Sequence, residues 1–319
     1  MNPATPAPRH GFVRWLIRLG AAIGVLLLLL ALLFAAGWTY FHPAVRRETG
    51  LVYGSRHGKD LTFDVLRPAK TNGLGVVVMV SGGWKSEAGS FPVPLAAPLL
   101  RRGYTVFPIY HVSQPESTVR EVFADMSRGV RRVRSDAAKH GIDPDRIGVT
   151  GGSAGGHLSL MLATAGGPGT PTAADPVDRA SSAVQAVAIF YPVTDLLDLG
   201  DSTENLRDGG PPKSFVKAFR PDPDGPKDWK EIGRSLSPLH LLGPNRPPTL
   251  IYHGDADTLV PLDQSLRYVE RARGLGNTVE LVVHPGGKHG WPTMIIDLIR
   301  FADWFDRHLA GTKTNSGAR

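Results

Sequence analysis

Six short apolar runs, set apart by helix-like stretches, constrain this chain more than any other feature. They lie at 76–80, 105–110, 147–150, 184–190, 249–252 and 279–283. Each is continuous rather than alternating, so a strand formed there is apolar on both faces and belongs in a parallel sheet covered by helices on each side. Between them Val119, Val122, Phe123, Met126, Val130 and Val133 recur at three- and four-residue steps, with Arg120, Arg128, Arg131 and Asp136 filling other faces. Further helices are expected just after Ser153, over 262–272 and over 293–309. Strand, helix, strand repeated in this way predicts an α/β fold, a mostly parallel doubly wound sheet with helices on both faces. Ahead of it, 51–54 and 61–66 flank a turn-like 56–60 and read as an antiparallel pair at a sheet edge.

A second feature decides where such a domain sits. Between Arg18 and His42 lie 23 residues without a charge, and a helix of that length, about 34 Å long, crosses a bilayer. Arg9, Arg14 and Arg18 precede the run, while Trp38, Tyr40 and Phe41 close it. The positive-inside rule therefore places 1–18 in the cytoplasm, 19–41 across the membrane as a single transmembrane helix, and the domain outside. A cleaved signal peptide, processed near Ala35, Ala36 and Gly37, is the alternative; the run is long for a signal, which favours an anchor. Residues 42–50 read as a polar linker, 51–311 as the folded domain and 312–319 as a tail. Within the domain, 195–248 breaks the rhythm. It is rich in Asp, Gly and Pro with scattered Phe215, Phe219 and Trp229, the composition of a lid or cap, or of a surface insertion.

Several function classes fall away. The chain has no cysteine, which excludes disulfide scaffolds, thiolate metal sites and cysteine nucleophiles together. Of the formal charge of +7, residues 1–50 carry four units, so the domain has a mixed surface rather than a phosphate-binding stripe, and no nucleic-acid partner is expected. No cluster of His and carboxylates has ligand spacing, so no metal or other cofactor is expected.

The chemistry is concentrated in three segments. Gly151-Gly152-Ser153-Ala154-Gly155-Gly156-His157 follows the 147–150 run directly and matches G-x-S-x-G. A strand turning sharply into a helix lifts a serine Oγ clear of the sheet, and the helix N-terminus behind it offers backbone amides to negative charge. An idle serine on a glycine-rich turn, or a phosphate-binding turn, would show the same letters, but no G-x-G-x-x-G or Walker lysine accompanies them. A serine hydroxyl needs a base. The segment 253–261 follows the 249–252 run and offers His253, Asp255 and Asp257; the segment 284–291 follows the last run and offers His284 and His289. All three segments lie at the carboxyl ends of strands, where sites gather in open α/β sheets.

On Gly-Gly-Ser-Ala-Gly-Gly-His, His-Gly-Asp-Ala-Asp-Thr-Leu-Val-Pro and Lys-His-Gly, the chain resembles α/β-hydrolases of the esterase/lipase group, most nearly the bacterial bifunctional feruloyl/acetylxylan esterase-like proteins. The resemblance runs from about Leu51 to the last helix, some four-fifths of the chain. It implies an α/β-hydrolase fold in which Ser153 is the nucleophile, Asp257 of D-x-x-V-P the acid and His289 the base. It implies a nucleophile elbow of Gly151, Gly152, Gly155 and Gly156, and an oxyanion hole from the amides of Ala154, Gly82 and Gly83. The implied reaction is cofactor-free hydrolysis of small or carbohydrate-linked carboxylic esters through an acyl-enzyme; a silent binding protein and a serine peptidase of the same fold are the alternatives. The chain departs from the family at one place. His-Gly-Gly-Gly-Trp is replaced by Val80-Ser81-Gly82-Gly83-Trp84, and a missing oxyanion donor would cost about 2.7 to 4 kcal/mol. His111 and His157 read as structural or surface histidines.

Overall fold

The apolar runs become the centre of one eight-stranded sheet in the computed structural model, which describes residues 10–221 and 225–311. Arg9 and the expected tail 312–319 lie outside the described residues. The strands are β1 Val45–Arg56, β2 Lys59–Pro68, β3 Gly75–Met79, β4 Thr105–Ile109, β5 Ile147–Gly152, β6 Ala186–Phe190, β7 Thr249–Gly254 and β8 Val279–His284. Their order is β1-β2-β4-β3-β5-β6-β7-β8, with β2 antiparallel to both neighbours and every pair from β4 onward parallel. The helices are α1 His10–Phe41, α2 Ala97–Arg101, α3 Val119–Ser135, α4 Ala137–His140, α5 Ala154–Ala165, α6 Pro176–Arg179, α7 Trp229–Ser235, α8 Pro238–Leu241, α9 Asp263–Gly274 and α10 Met294–Phe305.

Continuous hydrophobicity works as the two-sided covering requires. Along β3, Val77 faces a core shared with Met126 of α3, Leu158 of α5 and Tyr268 of α9, while Val76 and Val78 face a second core with Leu99 of α2 and Phe301 of α10. Helix α3 begins on a capping box: Thr118 Oγ1 accepts from the Glu121 amide and the Glu121 carboxylate from the Thr118 amide. That satisfies two of the donors a helix start leaves open. Its predicted face is buried at Val119, Val122, Met126, Val130 and Val133, with Phe123 only partly covered.

Three boundaries differ from expectation. The linker 42–50 is mostly strand, because β1 starts at Val45 and pairs Val45 with Pro68 and Glu48 with Val65. At an exposed edge backbone hydrogen bonds suffice, and the polar Arg46-Arg47-Glu48 gives no apolar signal. The apolar run 279–283 is not covered on both faces, since β8 is the far edge and leaves Val282 and Val283 more than a third exposed. Helix α1 extends N-terminally past Arg18 and Arg14 to His10. It is long and apolar enough to cross a membrane, and its most apolar stretch is left uncovered by the other described residues.

Candidate active site

The site grows from the end of β5. Ser153 sits between that strand and α5 with φ +56° and ψ −120°, a conformation L-residues rarely adopt and one that costs of order 1–3 kcal/mol. The neighbouring backbone can close around it only because side chains are missing. A Cβ on Gly155 would lie 2.3 Å from the Met79 carbonyl oxygen, and one on Gly151 would lie 2.6 Å from the Gly155 backbone. Gly152 and Gly156 complete the same elbow, and the Ser153 amide is tied to Phe190 O at 3.1 Å.

The loops after β7 and β8 bring two partners to the serine. His289 Nε2 lies 2.9 Å from Ser153 Oγ, and His289 Nδ1 lies 2.7 Å from Asp257 Oδ2. The other Asp257 oxygen accepts the amides of Leu259 and Val260, each at 3.0 Å. Burial pushes the Asp257 carboxyl up, but the imidazoles of His253 and His289 and the Val260 amide outweigh it, holding the group well below the usual carboxylate range. His253 Nε2 is 3.6 Å from Asp257 Oδ2, too long for a hydrogen bond, and donates instead to Val260 O at 2.8 Å. The rival residues are occupied elsewhere. Asp255 accepts the Gly286 amide at 2.7 Å, His253 Nδ1 meets Ser265 Oγ, and His284 stacks on Trp291.

Opposite the relay stands the loop after β3. Gly82 does not serve as an expected donor, because a tight turn pairs its amide with Lys85 O at 2.9 Å and returns the Lys85 amide to Gly82 O. The amides of Gly83 and Ala154 have no acceptor among the described residues, and both residues line the pocket that contains Ser153. This pocket, about 70 Å³, is walled on its far side by Leu199, Ser202, Glu204, Pro212 and Phe215 of the 195–248 insertion. The described part of that insertion is packed rather than loose: Phe219 and Ile232 are buried, and Asp195 binds both Arg267 and His240.

The histidines set aside in the sequence brace this loop. His157 is wholly buried; Trp84 Nε1 donates to its Nδ1 at 3.2 Å, and its Nε2 donates to Leu236 O at 2.7 Å. His111 lies over the loop's other end, with Nδ1 2.9 Å from Val112 O and Nε2 2.9 Å from Ser81 Oγ. Burial lowers each imidazole to about 4, so both are neutral at physiological pH. Sequence reasoning also missed Tyr191, whose ring lies 4.4 Å from that of His289 and whose hydroxyl burial pushes up to about 12. One signal was available for it: Tyr191 follows β6 at the same carboxyl edge as the other site segments. Among the described residues no group of three or more His, Asp and Glu is placed to hold a metal.

Comparison with known proteins agrees with this architecture. Esterase LipQ of Mycobacterium tuberculosis is 31% identical over 68% of the chain and 50% of its own length. A truncated carbohydrate esterase from gut microbiota superposes with a TM-score of 0.69 at 26% identity, covering 84% of this chain and 99% of that one. An acetyl ester-xyloside bifunctional hydrolase from Caldicellulosiruptor lactoaceticus gives 0.68 at 25% identity, covering 83% and 98%. The chain thus spans nearly the whole of these solved structures but about half the length of the curated relatives it matches. The BD-FAE family model matches residues 63–271, so the chain belongs to the BD-FAE family, within the α/β-hydrolase esterases.

Proposed function

We propose that the protein is a membrane-anchored serine hydrolase of carboxylic esters, with its catalytic domain on the extracytoplasmic side. The observation that carries this reading is the unbroken path from Asp257 through His289 to Ser153, with links of 2.7 and 2.9 Å, facing two unspent amides. In this mechanism His289 Nε2 takes the Ser153 proton as Oγ attacks the ester carbonyl. Asp257 fixes the Nδ1–H tautomer and stabilises the imidazolium without itself becoming protonated. The amides of Ala154 and Gly83 hold the oxyanion; the alcohol leaves with the proton from His289, and water, activated by the same imidazole, hydrolyses the acyl-enzyme.

Small and carbohydrate-linked esters are the proposed substrates, supported by the carbohydrate and acetyl-ester activities in the names of the structural neighbours. Glu204 and Ser202 give the Ser153 pocket polar groups for the part of a substrate beyond the ester bond, and 195–248 acts as a fixed cap over it. Helix α1 serves as the anchor, with Arg14 and Arg18 on the cytoplasmic side and Trp38, Tyr40 and Phe41 at the opposite interface.

One experiment tests chemistry and topology together. A membrane-impermeant fluorophosphonate, applied from outside to cells stripped of their wall, should label the chain at Ser153. Ser153→Ala should abolish labelling and lower p-nitrophenyl acetate turnover on the order of 10⁶-fold. Folded protein that neither labels nor turns over would leave a silent member of the fold. Labelling only after the membrane is permeabilised would reverse the topology.

A further inference from the structure

Ser153 stands between two cavities, both lined mainly by apolar side chains, that differ in size and in charge. The pocket under the insertion is small and has polar groups in its wall. On the other side of the elbow lies a cleft of about 240 Å³, whose inner end is formed by Gly151, Gly152 and Tyr191 and whose outer walls include Leu95, Leu99 and Leu298. No charged side chain lines this cleft among the described residues. It reaches the residue before Ser153, and the Tyr191 ring at its end packs on His289. An ester with its carbonyl at Ser153 would therefore extend one substituent toward each cavity. Among its lining side chains the larger one offers a sugar only the hydroxyls of Ser81, Thr150 and Tyr191, the first of them spent on His111, whereas a hydrocarbon chain needs no such partner.

The position of α1 shows where such a chain would come from. Its last turn packs on α2 and on the 3-10 turn Val93–Ala96, two of the elements that wall the cleft. Arg101 donates to the carbonyl oxygens of Thr39 and, at 3.1 Å, Tyr40, and its guanidinium lies 5.8 Å from the Tyr40 ring. Only residues 42–44 separate α1 from β1, so no spacer lifts the domain away from the end of its anchor. Leu95 on one lip is 42% exposed, and Ile296 beside the other is 55% exposed. Apolar side chains at the mouth of an apolar cleft, next to the interfacial end of a membrane helix, form a surface suited to the bilayer rather than to water.

We infer that this cleft receives the long apolar chain of an ester drawn from the membrane, so that the substrate class includes esters with one hydrocarbon substituent and one small or polar one. This deepens the ester-hydrolase reading and rests on it. The test uses the full chain in phosphatidylcholine vesicles with p-nitrophenyl acetate, p-nitrophenyl decanoate and decyl acetate, the last two placing the chain on the acyl or the alcohol side. The quantity read is the kcat/KM of each ten-carbon ester divided by that of p-nitrophenyl acetate.

In the wild type this ratio should be about ten or more for at least one of the two long esters. Leu298→Trp, which fills the cleft, and Leu95→Asp, which makes its exposed lip polar, should each lower that ratio about tenfold. Leu95 has little packing to lose, so its variant stays informative if Leu298→Trp misfolds. Ratios near one in the wild type, or a ratio unchanged by Leu95→Asp while acetate is hydrolysed, would overturn the inference and leave the hydrolase reading intact. No turnover of any ester by wild-type protein, together with no fluorophosphonate labelling, would overturn both.

Discussion

The relay and the loop that faces it meet at Ser153, yet opposite electrostatics hold them. On the relay side Asp257 is a buried carboxylate kept ionised, and the His289 ring is placed by a charge-assisted hydrogen bond. On the loop side two buried imidazoles, His111 and His157, are kept neutral and bind only uncharged partners. A charged brace also decides where a proton resides, whereas a neutral one fixes only a shape. Substitutions in the first should therefore stop the chemistry in a protein that folds, and those in the second should loosen the fold while the chemistry continues.

The largest effect is expected from Asp257→Asn. Because Oδ1 of Asp257 accepts the Leu259 and Val260 amides, an asparagine there must keep its oxygen in that place and turn its NH₂ toward His289. Nδ1 would then have to accept, the ring proton would move to Nε2, and Ser153 would face a donor instead of a base. Turnover of p-nitrophenyl acetate should drop about 10⁴-fold with the melting temperature little changed. A loss of tenfold or less would show that the carboxylate does not set the tautomer, and the contrast between the two sides would collapse.

The next effect is read in stability against pH. His157 titrates near 6.5 in the unfolded chain and at about 4 in the fold. Between those values the unfolded chain binds more protons, so stability is complete above pH 6.5, falls as the pH drops through the window, and levels off below about 4. The full drop is about 3 kcal/mol. In His157→Gln the amide can accept from Trp84 Nε1 and donate to Leu236 O without titrating, so this part of the acid limb should vanish in urea denaturation series at pH 7, 5.5 and 4. His111 contributes a limb of the same sign that persists in the variant. An acid limb identical to that of the wild type would show that His157 is not held neutral.

The same contrast explains what could be read from the sequence. Segments on the relay side are local: each candidate follows its own strand within a few positions, so strand-end placement narrows the choice to Ser153, two carboxylates and three histidines, and the family resemblance singles out Asp257 and His289 among them. The inner sheet was equally legible, since burial on both faces leaves a continuous apolar run. The loop side is built from contacts distant in sequence. Trp84 meets His157 across 73 residues and Ser81 meets His111 across 30, and neither pair has a spacing that a linear reading can recognise. Gly82 was misjudged for a related reason, since a glycine in the motif says nothing about whether a turn has already used its amide. Strand β1 before Leu51 was missed because edge strands are held by backbone pairing that side chains do not advertise.

The smallest effect tests whether Ser81, which stands where the family has glycine, is a brace or a donor. Val112 O can only accept, so His111 Nδ1 carries the ring proton and Nε2 accepts the Ser81 hydroxyl. The Ser81 proton thus points away from Ser153 and is unavailable to an oxyanion. Ser81→Ala would leave a buried imidazole nitrogen without a donor and should cost about 1 to 3 kcal/mol of stability. The loop keeps its other ties, namely the Gly155 amide to Ser81 O at 3.0 Å, the Gly82–Lys85 pair and the Gln114 amide to Trp84 O. Turnover of p-nitrophenyl acetate should therefore fall less than about tenfold, and Ser81→Gly, which makes the same deletion, should match it. A fall of 10²-fold or more in both, the size expected for a lost oxyanion donor, would mean that the hydroxyl turns toward the substrate when one is bound. Ser81 would then replace the amide that Gly82 has committed to its turn, and the loop side would take part in the chemistry as directly as the relay.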